Sequence, residues 1–201
     1  MRNVIVTGGS RGLGLGIVCK LAAEGYHAIA VARQNNPQLA SAIDQARQSG
    51  VGALDFVPYD LSHIQGIAEL VRKLRKEFGP IYGLVNNAAI GSDGVLATMH
   101  NSEIERIIRM NTLSPIVLTK SVVRHMMADG GGRIVNIASI IGCLCSDEGY
   151  IDGVHSIACT GSWSPGCKRQ RGRAGLYGHR NDVNTWKRAA MSTAMSAAIF
   201  P

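Results

Sequence analysis

Thr7, Gly8, Gly12 and Gly14 have the types and spacing of a phosphate-binding loop. They lie in NVIVTGGSRGLGLGIV, Asn3 to Val18, where an apolar run ends in a glycine-rich turn that opens directly into a helical pattern. Glycine lets the backbone turn tightly and approach a ligand closely, because no Cβ stands in the way. A helix that starts at such a turn offers unpaired N–H groups and the positive end of its dipole to an anion, which is how a pyrophosphate is held. A lone glycine pattern is weak. Here a strand precedes it and a helix follows, which is the context the chemistry needs. A tight strand-to-helix turn with no ligand is the plainer alternative.

The elements that must position this loop alternate. Val4, Ile5 and Val6 form a short apolar run of the kind buried on both faces of a parallel sheet. A helix over Leu13 to Glu24 is stopped by Gly25, and His27 to Ala32 reads as a second buried strand. Leu39 to Ser49 is a short helix and Gly52 to Val57 a strand. Ser62 to Phe78 is the clearest amphipathic helix, with Ile64, Ile67, Val71, Leu74 and Phe78 at helical spacing. Ser62 and Gln65 stand in the relation of a capping box, and Gly79-Pro80 ends the helix. Tyr82 to Asn86 is a strand that runs into Asn87-Ala88-Ala89. A helix from about Ser102 leads into Asn111, Pro115 begins a helical stretch to about Met127, and Arg133 to Ala138 is a fifth strand ending at Ser139. This alternation predicts an α/β fold with a doubly wound parallel sheet. Ligands of such sheets lie beyond the carboxyl ends of the strands, where Arg33, Asp60, Asn87 and Ser139 fall.

With 201 residues, 46% of them hydrophobic, the chain can bury one sizeable core. No run reaches the apolar length of a membrane span, and a first strand at Asn3 leaves no room for a signal peptide, so a cytoplasmic protein is expected. Five cysteines, an odd number in a reducing setting, argue against disulfides. The formal charge of +7 suggests an anionic partner, and a dinucleotide is partner enough without nucleic acid or membrane. A dinucleotide fold that selects NAD carries an acidic residue at the end of its second strand, whereas a base there accommodates the extra phosphate of NADP. Here Arg33 occupies that place and Arg11 lies in the glycine loop, which favours NADP over NAD; two merely solvated arginines are the alternative. Asp60 lies on a loop that could face the adenine.

Residues 1 to 142 resemble a classical short-chain dehydrogenase/reductase, most like the 3-oxoacyl-acyl-carrier-protein reductase group. The resemblance is carried by TGGSRGLG at Thr7 to Gly14, Asp60-Leu61, NNAA at Asn86 to Ala89, Asn111, and the IVNIAS strand ending in Ser139. The family more often ends the NNAA motif in glycine. The resemblance implies a Rossmann-type domain that holds the cofactor through Thr7, Gly8, Ser10, Arg11, Gly12, Leu13, Gly14, Arg33, Asp60, Leu61, Asn87 and Ala88. It implies further that Ser139 hydrogen-bonds the substrate carbonyl and that Asn111 supports a proton-relay water. Taken singly, Asn111 and Ser139 read as a helix cap and a strand-end turn.

The family's proton donor is a Tyr followed four positions later by a Lys whose charge stabilises the phenolate, since a phenol near pKa 10 needs a cation beside it to act at neutral pH. The Tyr is expected about thirteen positions after the serine. That position is Asp152, and Ser156 stands where the Lys belongs. No Tyr of the chain has a Lys four residues on: Tyr150 is followed by Val154 and Tyr177 by Asn181. From Cys143 onward the strand and helix periods vanish, and four of the five Cys and both Trp fall there. The sheet is therefore expected to be incomplete or disordered after about residue 142, with 143–201 an irregular, poorly packed tail.

A change of reading frame accounts for this. Cys167 to Asp182, CKRQRGRAGLYGHRND, can be written in codons whose next frame reads VNVNAVAPGFMATEM, a likeness of the family's next strand and its Pro-Gly loop. Leu144 to Gly149, LCSDEG, likewise yields YVATK, the missing Tyr-x-x-x-Lys. The frame is expected to change near Gly142, with several codons lost, because the recovered Tyr lies too close to Ser139.

Three functions follow. The first is an oxidoreductase that transfers hydride between NADP(H) and a carbonyl or alcohol, with a small-molecule or acyl-thioester substrate, impaired here by loss of Tyr and Lys. The second is a non-catalytic NADP-binding or partner-binding protein. The third is a zinc or nucleic-acid module in the tail, built on Cys143, Cys145, His155, Cys159, Cys167 and the basic run Lys168 to Arg173, whose spacing matches no standard zinc pattern. No metal is expected in the first reading. The family's homo-oligomers, commonly built on the helices around Asn111 to Met127 and the one bearing the Tyr, are not expected of a chain lacking half of that interface.

Overall fold

Among the described residues, five parallel strands in the order β3-β2-β1-β4-β5 carry the core. The computed structural model describes residues 1–92 and 96–138. The strands are β1 (Asn3–Thr7), β2 (His27–Ala32), β3 (Ala53–Pro58), β4 (Ile81–Asn86) and β5 (Arg133–Asn136). The helices are α1 (Gly12–Ala23), α2 (Pro37–Ser49), α3 (Ile67–Phe78), α4 (Asn101–Ile108) and α5 (Ser114–Ala128). The doubly wound parallel sheet is thus present, and its strand order reverses between β1 and β4. The expectations for Ser139 and for the tail at 143–201 lie outside the described residues.

Alternate residues of each strand serve opposite faces, as the period of two requires. Val4, Val6, Ala28, Ala30, Leu54 and Val85 meet Ile17, Val18 and Leu21 of α1 and Leu39 and Ala42 of α2 on one face. Ile5, Ile29, Val31, Val57, Leu84 and Ile134 meet Val71 and Leu74 of α3 and Leu118, Val122 and Met126 of α5 on the other. Burial on both faces explains why β1 and β2 read as unbroken apolar runs. On the α1 side Tyr82 and Val135, at the β4–β5 end of the sheet, remain only partly buried, with the Arg2 guanidinium stacked 4.5 Å over the Tyr82 ring. No helix among the described residues is long and apolar enough to cross a membrane.

Two long-range ties fix the helices. The Asn3 amide donates to the carbonyls of Phe78 at 2.7 Å and Pro80 at 2.9 Å, which holds the end of α3 against the start of β1. Arg75 of α3 makes a forked ion pair with Asp129 just past α5, its second N–H reaching Oδ1 at 2.7 Å.

Three sequence expectations need correction. The Ser62–Gln65 capping box does not form: α3 begins at Ile67 after a 3₁₀ turn over Ile64–Gly66, and its N-cap, Gly66, makes no side-chain cap bond. Ser62 is instead engaged by Asp60, whose carboxylate accepts the Ser62 N–H at 2.9 Å. A local side-chain bond of this kind competes with capping and wins here because Asp60 is two residues away. The second correction is the start of α2. It begins at Pro37 rather than Leu39, with Asn36 as N-cap accepting the Leu39 N–H at 2.9 Å and Pro at a position whose N–H would be unpaired anyway. The third is β5, which pairs with β4 only as far as Asn136; beyond it the Ile137 N–H still bonds the Asn86 carbonyl.

The Asp60 carboxyl is held below the usual carboxylate range, first by the Ser62 N–H, and further by the Ser62 hydroxyl and the charges of Arg33 and His63, against the desolvation that opposes them. A depressed carboxyl stabilises the fold above its unfolded pKa of about 3.9 and loses that contribution as pH falls through the folded value. Asp60→Asn keeps the acceptor and removes the charge. Urea unfolding between pH 6 and about 2 should show the wild-type chain losing stability more steeply on acidification than the variant, with the two converging at the acid end.

Candidate cofactor cleft

The carboxyl ends of β1 and β4 frame a cleft at the point where the strand order reverses, the place where ligands of open parallel sheets bind. Its frame is built on Thr7, buried at the end of β1. Thr7 Oγ1 donates to the Val85 carbonyl at 3.3 Å and accepts the N–H groups of Asn87 and Ala88, each at 2.9 Å. Asn87 answers with its side chain, donating to the carbonyls of Thr7 at 2.9 Å and Gly8 at 3.4 Å. Gly8 is further tied to β2 by its N–H to the Val31 carbonyl at 2.8 Å.

The glycine loop fits a closely approaching anion. Gly8 and Gly12 have φ of +67° and +55°, in the left-handed region that side chains avoid. A Cβ on Gly14 would press into the Gly8 carbonyl oxygen and stand 2.6 Å from Asn87 Nδ2, so only glycine lets the first turn of α1 seat against the cleft frame. At Gly12, by contrast, a Cβ would meet nothing within 4 Å, which leaves open space before the helix start. The first turns of α1 and α2 carry no acidic residue to oppose an anion. Arg11 is the N-cap of α1 and makes no side-chain cap bond; it and Arg33, just past β2, are both exposed. These residues fit a dinucleotide pyrophosphate with basic groups at one flank.

The structure brings the expected positions to one end of the sheet. Ser10, Arg11, Gly12, Leu13 and Gly14 form the loop and first turn of α1, Arg33 follows β2, Asp60 follows β3, and Asn87 and Ala88 follow β4. Leu61 is a core residue, packed with Val57, Ile67 and Leu70, so only its backbone is available to a ligand. Asn111 is buried in a π-helical turn, Arg109–Leu113, that joins α4 to α5. Its side chain is committed to the loop after β4: Oδ1 accepts the Ile90 N–H at 2.9 Å and Nδ2 donates to the Ile90 carbonyl at 2.7 Å. It thus holds the backbone beyond Asn87 and Ala88 in place.

Two residues matter that the sequence reading does not single out as site residues. Asn86 Nδ2 donates to Thr119 Oγ1 at 3.0 Å and Asn136 Oδ1 at 2.8 Å, binding β4 to α5 and β5 beneath the cleft. Asn36 Nδ2 donates to the Ser10 carbonyl at 2.6 Å. The Asn36-Pro37 pair, a cap residue before a helix-starting proline, is the signal that could have found it. Among the described residues no group of three His, Cys, Asp or Glu side chains is arranged to hold a metal ion.

Comparison with known proteins agrees with this geometry. The family described as short chain dehydrogenase matches residues 2–149. The 3-oxoacyl-[acyl-carrier-protein] reductase FabG of Escherichia coli (strain K12) is 39% identical over 140 residues, which are 70% of this chain and 55% of that protein. A metagenomic short-chain oxidoreductase solved in complex with NADP superposes with a TM-score of 0.65 at 32% identity, covering 70% of this chain and 63% of that one. A 3-oxoacyl-[acyl-carrier protein] reductase from Brucella melitensis in complex with NAD gives 0.64 at 31%, covering 73% and 59%. The chain spans about half the length of the curated relatives it matches. With the family model matched over most of this chain, and its glycine loop, cleft frame and Asn111 turn in place, the chain belongs to the short-chain dehydrogenase/reductase family.

Proposed function

We propose that residues 1–138 form the cofactor-binding half of a carbonyl reductase that takes NADP(H), and that the 201-residue chain binds this cofactor without turning over substrate. The observation that carries the first part is the seat of Gly14 against the Gly8 carbonyl and Asn87, with Arg11 and Arg33 at its flank. Bound NADPH supplies hydride to a carbonyl carbon. Relatives named as 3-oxoacyl-carrier-protein reductases favour a 3-oxoacyl thioester as that carbonyl compound. The choice of NADP over NAD rests on the two arginines, since relatives are found with either cofactor.

What the chain itself must add is a proton for the developing alkoxide. By its place in the sequence, Ser139 would orient the carbonyl. Asn111 would support a water through its backbone, because its side chain is spent on Ile90. The phenol and ammonium that would complete the set are missing from the sequence. Their loss by a shifted frame gains support from the intervening residues. Tyr150 to Gly166, YIDGVHSIACTGSWSPG, can be written so that the next frame reads AISMAFIRSLAREAGRR, an amphipathic helical pattern. It follows YVATK directly, and one further codon spanning Gly166 and Cys167 joins it to VNVNAVAPGFMATEM. A helix and strand of this kind are what the partly buried Tyr82 and Val135 would need to be covered, since a parallel sheet is normally buried on both faces.

Three outcomes are expected. Fluorescence titration of the 201-residue chain should show saturable NADPH binding, tighter than NADH, while ketone and 3-oxoacyl-thioester reduction stay at background; robust turnover overturns the proposal. Thr7→Val keeps the shape but leaves the N–H groups of Asn87 and Ala88 without their acceptor, at a cost of about 1–3 kcal/mol. Its NADPH dissociation constant should rise about tenfold or more. Sequencing the gene should show codons for Leu144 to Asp182 whose next frame encodes the Tyr-x-x-x-Lys helix and the following strand; any other codons defeat the shifted-frame account.

A further inference from the structure

Asn36 belongs to two segments at once. Its Oδ1 accepts the Leu39 N–H at 2.9 Å and its carbonyl accepts the Ala40 N–H at 3.0 Å, so it caps α2. Its Nδ2 donates to the Ser10 carbonyl at 2.6 Å, across 26 residues of sequence. The two side-chain bonds fix the amide's orientation, since only the oxygen can accept and only the nitrogen donate. Ser10 immediately precedes Arg11, and Arg33 lies three residues before Asn36. One half-buried amide therefore ties together the two backbone segments that carry the exposed arginines.

An exposed arginine has many rotamers, and holding it on a ligand costs ordering entropy. Anchoring the backbone beneath it lowers that cost without adding a contact. We infer that Asn36 is a positioning residue that sets the spacing of Arg11 and Arg33 and, through it, the preference of the cleft for a cofactor bearing a ribose phosphate. The inference rests on the NADP(H) reading above and deepens it by naming what holds the two arginines in register. Asn36 acts through Ser10 and through the start of α2.

Two substitutions separate this role from capping, because serine and aspartate are both good N-cap residues. Asn36→Ser keeps a cap acceptor but is too short to reach Ser10. Asn36→Asp keeps shape and cap but sets an acceptor against the Ser10 carbonyl. The experiment is amide hydrogen exchange on the full chain without cofactor, followed by titration with NADPH and with NADH. In both variants protection of the Leu15 amide, which bonds the Arg11 carbonyl at 3.2 Å, should fall while that of β1 and β2 is unchanged. The NADPH dissociation constant should rise about tenfold and that of NADH less than about twofold. Unchanged exchange at Leu15, or equal weakening of both nucleotides, overturns the inference. A parent chain that binds neither nucleotide overturns the NADP(H) reading and this inference together; a parent that binds NADPH, with variants of unchanged preference, overturns the inference alone.

Discussion

The cleft depends on one hydroxyl. Thr7 Oγ1 uses its single proton on the Val85 carbonyl and its acceptor capacity on the N–H groups of Asn87 and Ala88, so its hydrogen-bonding valence is full. Those three bonds join neighbouring strands where each stops being a strand, and a parallel pair has no ladder left there to hold it. The two N–H groups have no intrastrand partner to fall back on. Both bonds are part-buried, and leaving such donors unmade where water is scarce costs more than a typical hydrogen bond contributes. The Asn87 amide, aimed back at Thr7 and Gly8, holds the junction from the other side. With the frame fixed, Gly14 has one seat, and the start of α1 has one direction.

The same economy explains which parts of the fold were legible in the sequence. β1 and β2 were legible because strands buried on both faces leave unbroken apolar runs, and the glycine loop because positive φ at Gly8 and Gly12 demands glycine. α3 was legible as a helix from Val71 and Leu74, yet its start was misplaced. Spacing alone cannot tell whether Ser62 will cap a helix or answer a nearer carboxylate, and Asp60 decided it. β5 was read two residues too long for a similar reason. Ile137 keeps an apolar side chain and one bond to Asn86, but the paired ladder ends at Asn136.

The site was legible where it is local and opaque where it is assembled. Arg33 at the end of β2 can be placed by counting from the strand. The commitment of the Asn111 side chain to Ile90 cannot, because it spans 21 residues and is made possible by a π-helical turn that no apolar period announces. Asn36 is intermediate. Its cap was available in the Asn-Pro pair, whereas its bond to Ser10 exists only after β1 and β2 lie side by side. In each case the missing information is a contact between segments far apart in the chain, which the packing of the crossovers on the sheet creates.

These distances also show what the frame of the cleft rests on. Thr7, Gly8, Asn87 and Ala88 are tied to one another directly, and both faces of β1 and β2 are covered by α1, α2, α3 and α5. A phenol–ammonium pair depends on more, because its pKa adjustment needs the two groups held together and its use needs both held over the cleft. Such precision comes only from an element packed on the sheet, and the β4–β5 end, where Tyr82 and Val135 stay partly buried, is where the sheet has surface left to receive one. The proposed frame change near Gly142 would remove that pair and leave the ties among Thr7, Gly8, Asn87 and Ala88 in place.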